Sequence, residues 1–288
     1  MLEPLEYQFF VRGLIAATLV GGLCGLLGVY IVLRRMSYIG HGLSHAIFGG
    51  AVVSYVIDIN FYVGASLWGF LSAVLINATT RARSFIAADA AIGIVTTASF
   101  ALGIALISRY RTFTRSFDAA LFGNILGVSD GDLYAIFGVT VLTFAVILVL
   151  YRRLLFTTFD PDVAPFYGIS TASVDTLFSL ILAGTIVVSM QVMGVTLIAA
   201  AIVIPPSAAR LITSDFVRLS VLSVAIGVFC GFFGMYISYY VDVSSGANIV
   251  LFSAAVFVAA LGWSSLRARL AGVRRVQPGA VARLEDPT

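Results

Sequence analysis

The chain carries only two histidines, and they stand four residues apart: His41 and His45 in YIGHGLSHAIFGG. On a helix that spacing puts both imidazoles on one face, with Cβ atoms about 5 to 6 Å apart. One ring nitrogen from each can then reach a single cation at about 2.0 to 2.1 Å. The chemistry indicated is contact with a borderline divalent metal; the alternative is a histidine pair hydrogen-bonded inside a polar helix bundle. HGLSH lacks the glutamate of the H-E-x-x-H zinc proteases, because position 42 is glycine and Ser44 is the only other side-chain oxygen in the motif. Proteolysis is therefore disfavoured. Gly40, Gly42, Gly49 and Gly50 around the pair permit either close helix packing or a helix break that exposes carbonyls to a cavity.

A second constellation is MGVTLIAAAIVIPPSAARLI, where Pro205 and Pro206 interrupt an apolar run. Each proline removes an amide donor, and the freed carbonyls must find partners in protein or in a wet cavity. That makes the pair a candidate hinge, or else a static bend held by the Ser207 hydroxyl. Met190, Gln191 and Met193 precede it, and methionine there reads first as a packing filler. A third segment, RRLLFTTFDPDVAPFYGISTA, has Asp160, Pro161, Pro165 and Gly168 breaking its apolar pattern. It predicts a loop around one short helix, with Pro161 in that helix's first turn. The remaining acidic residues lie mostly between apolar runs; Asp89 opens one, as a cap or as a partner for an arginine.

These residues are embedded in 288 residues of which 60% are hydrophobic and 11% charged, with a mean hydropathy of +1.04. An ordinary soluble domain is about 25% charged, so a soluble globule is excluded in favour of an all-α polytopic membrane protein. The net charge of +3 does not point to nucleic acid, because the basic residues sit at the ends of apolar blocks. All 17 basic residues are arginine. Without lysine there is no Walker A loop, so any ATP hydrolysis must come from another chain. Cys24 and Cys230 lie within apolar blocks and read as small core residues. The acidic start MLEPLEYQ lacks the positive region of a cleaved signal peptide.

Nine spans are predicted, at about 9–33, 39–58, 62–81, 88–108, 132–151, 173–190, 194–212, 216–240 and 247–266; one re-entrant segment in the first part of the chain would make eight. An outside N-terminus leaves 13 of the 17 arginines in the cytoplasm, as the positive-inside rule favours. The outer stretch FDAALFGNILGVSD suits a short helix on the membrane surface. Residues 1–270 read as a single transmembrane domain, and 271–288 as a disordered cytoplasmic tail.

Several stretches together resemble the membrane permeases of bacterial ABC importers for manganese, zinc or iron, the ABC-3 group. They are GLLGVYIVLRRMSYIGHGLSHAIFGG, DAAIGI, LFGNIL, FDPDVAPFYGI, MGVTLIAAAIVIPPSAARLI and DVSSGANIVL, in family order. The resemblance implies a multi-pass protein of the bacterial plasma (inner) membrane with the helical fold of the cobalamin and siderophore importers. It also implies a second permease copy, cytoplasmic ATPase subunits and an external metal-binding solute-binding protein. The metal (zinc, manganese or iron) would be cargo, with no permanently bound cofactor. The family's histidine follows an acidic residue by four positions, and the two are thought to contact metal. The corresponding positions here are His41 and His45, so an imidazole replaces the carboxylate. That exchange leans from manganese towards zinc. Asp160, Pro161, Ala164 and Gly168 would belong to the loop that couples to the ATPases, and Pro205 and Pro206 to the hinge. Permeation of a metal chelate, such as a siderophore, or an ion-coupled metal carrier are the competing readings. A dication gains about 4.6 kcal/mol in a 100 mV inside-negative potential, whereas release from a nanomolar binding protein costs about 12 kcal/mol; the difference requires an ATP-driven step.

Overall fold

The computed structural model describes residues 3–82, 88–110 and 121–270. The described residues form ten α-helices, three 3-10 turns and no strand. The helices are α1 (Gln8–Leu33), α2 (Ser37–Val56), α3 (Phe61–Ala82), α4 (Ala88–Arg109), α5 (Asp130–Val149), α6 (Tyr151–Phe159), α7 (Thr171–Met193), α8 (Ile198–Ile212), α9 (Phe216–Val241) and α10 (Ser245–Leu270). Nine of them fall on the nine predicted spans; α6 is additional. Seven are long and apolar enough to cross a membrane. The exceptions are α6, the 15-residue α8 and α2, whose two histidines dilute its apolar content. The tail at 271–288 lies outside the described residues.

Burial sorts the helices. In α1 and α7, 67% of the spanning window is buried, against 17% in α5 and α10, so the first two are the inner columns. Helix α1 packs on α8, α9 and α5, while α2 packs on α3 and α4, with α7 between these groups. The main hydrophobic core draws residues from all ten helices, from Phe10 to Ile249, and a smaller cluster joins Val29, Ala209 and Leu219 of α1, α8 and α9.

The tightest contact is between α1 and α9. Cβ atoms added at Gly21 and Gly25 would run into the backbone carbonyls of Gly227 and Ser223, and ones added at Gly227 and Gly231 into those of Gly21 and Ala17. Each helix thus presents a G-x-x-x-G pair to the other, the arrangement that lets helix backbones touch in lipid. Gly28 continues the stripe and lies against the carbonyl of Ile202 and the ring of Pro206 on α8.

Helix ends are closed by local chemistry. In α5, Ser129 caps and the Asp132 carboxylate accepts back from the Ser129 amide, completing a capping box. The Tyr62 hydroxyl also donates to Asp132, and Arg12 pairs with Asp130 at 2.8 Å, tying that end to α3 and α1. Between α1 and α2 the chain turns in three residues. Arg35 adopts φ +56°, and the amides of Arg35 and Met36 donate to the carbonyls of Val32 and Ile31. This is a Schellman motif with arginine where glycine is usual, and it makes the α1–α2 junction a defined corner.

Two local readings differ in part from the structure. The outer stretch is helical at Leu121 and Phe122 but does not continue as a helix beyond them: Ile125–Gly127 is a single 3-10 turn, with Ile125 and Val128 in the core. The Asn124 amide donates to the Gln191 carbonyl and the Thr196 hydroxyl to that of Leu121, so this loop pairs with the α7–α8 connection; residues 111–120 lie outside the described ones. Pro161 does not open a helix either. It enters the turn after α6, and Pro165 instead lies in the first turn of the 3-10 segment Ala164–Tyr167, because the Asp160 carbonyl already accepts the amides of Val163 and Ala164.

The α1–α9 contact predicts that Gly21→Val and Gly227→Val lower the stability of the solubilised protein by about 1–3 kcal/mol or more, the usual cost of overpacking. Gly138→Ala, on α5 with open space around it, gains up to about 1 kcal/mol of helix propensity. Thermal unfolding in detergent measures all three; melting points that do not separate them would contradict the packing assignment.

Candidate functional site

His41 and His45 project from one face of α2, and both are half-buried. Their ring centroids are 4.5 Å apart with planes at 77°, so the i, i+4 spacing brings the imidazoles together as expected. Phe100 of α4 packs edge-on against His45 at 4.8 Å and 82°, and Tyr38 lies 5.7 Å from His41. His45 Nδ1 is buried and has no hydrogen-bond partner. A buried polar atom without a partner costs about 1–3 kcal/mol; Thr185 Oγ1 is in the same position, but of the two only the imidazole nitrogen is a ready metal donor. Ser44 is fully buried and its hydroxyl donates to the His41 carbonyl at 2.8 Å, so it turns into the core. Among the described residues no third histidine, cysteine, aspartate or glutamate joins the pair.

The surrounding glycines serve packing, because α2 runs unbroken from Ser37 to Val56. A side chain at Gly42 would strike Ile92 and Thr96, and one at Gly49 the carbonyl of Ser99. Close approach of α4 is what brings Phe100 to His45. Gly40 faces the Ile202 side chain of α8.

Pro205 and Pro206 are buried within α8. In an unbroken ladder position 206 would donate to the Ile202 carbonyl, and that carbonyl instead lies against Gly28. The Ser207 hydroxyl donates to the Val203 carbonyl at 2.7 Å, as in the static alternative. The double proline therefore sits where α1, α2 and α8 meet. Met190 and Met193 are buried in the core, in keeping with packing.

The segment 160–168 is held at one point and displayed at another. Ala164 is fully buried, whereas Phe166 and Tyr167 are 88% and 69% exposed. Gly168 has φ +71°, its amide donates to the Pro165 carbonyl at 3.0 Å, and that of Ile169 donates to Ala164 at 3.1 Å. Asp89 stands exposed in the first turn of α4.

With this geometry in place, residues 6–264 match the ABC 3 transport family. The chain belongs to that family. A curated relative, "Manganese transport system membrane protein MntC" of Halalkalibacterium halodurans, is 37% identical over 91% of this chain and 89% of its own length. A "Probable iron transport system membrane protein" of Haemophilus influenzae is 33% identical over 92% of this chain and 93% of its own length. Among solved structures, "PsaBC from Streptococcus pneumoniae in complex with Fab" superposes with a TM-score of 0.79 at 33% identity, covering 88% of this chain and 91% of that one. A putative metal-chelate type ABC transporter in an inward-facing conformation superposes with 0.71 at 16% identity over 87% and 85%, which shows a shared fold alone. This ABC 3 family member is a multi-pass bacterial inner-membrane permease subunit, a transport component rather than an enzyme.

Sequence reading missed two parts of the site. Phe100 carried no signal beyond being apolar. Arg34 was counted only as a charge at the end of a span, yet its side chain is 7% exposed and contacts both α6 and α7.

Nothing lies within 4 Å of a Cβ added at Gly168, so the residue is called for by its left-handed backbone and not by crowding at the Cβ position. Gly168→Ala and Gly168→Leu should cost a similar amount, about 1–2 kcal/mol of backbone strain, with Gly168→Asn costing less. Amide exchange at 164–169 reads this directly; a cost that climbs with side-chain size would show a steric origin instead.

Proposed function

We propose that this permease conducts a divalent first-row metal ion across the inner membrane, with His41 and His45 as its point of contact. The metal would arrive from an external solute-binding protein, and a second permease copy and cytoplasmic ATPase subunits would complete the importer. The carrying observation is the unpartnered, buried His45 Nδ1 one helical turn from the His41 ring. Two neutral imidazoles half-fill a tetrahedral shell. That suits a conduction site, where binding must be weak enough to release. Water or the same pair from the second copy supplies the remaining donors.

The named relatives handle manganese and iron, which supports metal as the class of cargo. A second imidazole in place of a hard carboxylate favours the borderline end of that class, zinc above manganese. The segment from Asp160 to Gly168, with Phe166 and Tyr167 displayed and Ala164 as its anchor, is the ATPase contact in this reading, and Pro205–Pro206 the hinge that responds. A bulky chelate would need a wide path, and His45 is instead closed in by Phe100.

Uptake by the reconstituted importer in proteoliposomes, measured over a panel of zinc, manganese and iron, tests the proposal. His41→Ala and His45→Ala should each abolish uptake while the complex still assembles, and His41→Asp should restore it with preference moved towards manganese. Wild-type uptake of all three metals by the double alanine variant would show the pair to be structural.

A further inference from the structure

Arg34 caps the C-terminus of α1, and its guanidinium makes three directed hydrogen bonds. Nη1 donates to Asp175 Oδ1 at 2.7 Å, Nη2 to Thr157 Oγ1 at 2.7 Å and Nε to Thr158 Oγ1 at 3.0 Å. Both threonine hydroxyls donate in turn to the Leu154 carbonyl, which fixes their lone pairs towards the arginine. The Phe178 ring lies 5.0 Å from the guanidinium carbon, and Tyr30 packs beside Phe178. Burial pulls the Arg34 pKa below its ordinary value and the Asp175 carboxylate pulls it back. The residue is a desolvated charge with a hydrogen-bond partner on each of its three nitrogens, not a solvated topology marker.

The placement of those partners matters. Thr157 and Thr158 end α6 just before Asp160, and Asp175 lies in the second turn of α7 just after Gly168. Both stems of the segment 160–168 are thus tied to one guanidinium. From Arg34 two rigid connections run towards His41. The Schellman corner at Arg35 and Met36 leads into Ser37, the first residue of α2. Along α1, Gly28 bears on the Ile202 carbonyl and Pro206, and the Ile202 side chain bears on Gly40, next to His41.

We infer that Arg34 is the positioning residue through which a displacement of segment 160–168 enters the bundle and reaches the histidine end of α2, an inference that rests on the coupling role proposed for that segment. The planar fork is what allows one side chain to hold α6 and α7 together. Spatial continuity alone does not establish coupling, so the test must read coupling itself.

The measurement is ATP hydrolysed per metal imported by the permease reconstituted with its ATPase and binding protein. Arg34→Gln should raise that ratio by about tenfold or more, the scale set by hydrogen bonds to a charged group, while hydrolysis continues. Arg34→Lys, which keeps the charge but not the fork, should fall between. Thr157→Val with Thr158→Val keeps the Arg34–Asp175 pair and the core volume, and guards against a folding failure of the arginine variants; it too should raise the ratio. A purely structural staple would reduce hydrolysis and uptake together at constant ratio, and that result overturns the inference. Phe166→Ala separates the two ideas. If it uncouples while the Arg34 and threonine variants do not, the role of Arg34 is refuted and the coupling segment stands. If Phe166→Ala leaves the ratio at the wild-type value, the coupling role of the segment fails and the inference falls with it.

Discussion

The backbone of α1 touches the backbones of α9 and α8, and the rest of the structure is arranged around that contact. Lipid offers no hydrophobic drive between helices, so close approach and satisfied polar groups must hold them together. Gly21, Gly25 and Gly28 supply the approach from α1, and Gly227, Gly231 and the Ile202 carbonyl receive it. Any side chain at these positions would push the inner column off its neighbours, and with it the corner that sets the start of α2. The histidine pair is consequently placed by a stripe of residues that have no side chains at all.

The second constraint is that a polar group taken out of water needs a partner inside the protein. Arg34 meets it at every side-chain nitrogen, with Asp175, Thr157 and Thr158 as acceptors and the Phe178 ring beside it. The capped end of α5 meets it through Ser129, Asp132 and Tyr62. His45 Nδ1 does not, although its ring is packed and oriented by Phe100. An arginine with a partner on each of its nitrogens joins the stems of the exposed segment, and the imidazole nitrogen left without one is the observation on which the proposed metal contact rests.

Much of this was legible in the chain. Hydropathy placed nine helices within a few residues of their bounds, and the i, i+4 rule alone brought His41 and His45 together. Where reading failed, the deciding partner was distant. Nothing near Arg34 in sequence announces Asp175 or the two threonines, which lie 123 to 141 positions away. The apolar count began a span at position 194, but Gly194 turns at φ +76° and α8 starts at Ile198. Pro161 looked like a helix start because proline fits a first turn; Pro165 takes that place because the Asp160 carbonyl closes the preceding turn first. Of the outer stretch FDAALFGNILGVSD, Leu121 and Phe122 are helical, whereas the apolar residues Ile125 and Val128 turn into the core, which their spacing alone did not announce.

The proposed contact between the two imidazoles of α2 and the transported metal can be read without turnover by zinc K-edge X-ray absorption on the zinc-loaded permease complex in detergent. Nitrogen scatterers are expected at about 2.0 to 2.1 Å, with the outer-shell scattering of at least two imidazoles, lost in the His41→Ala, His45→Ala double variant. A zinc spectrum fitted by oxygen alone, or one unchanged by that double substitution, would contradict it.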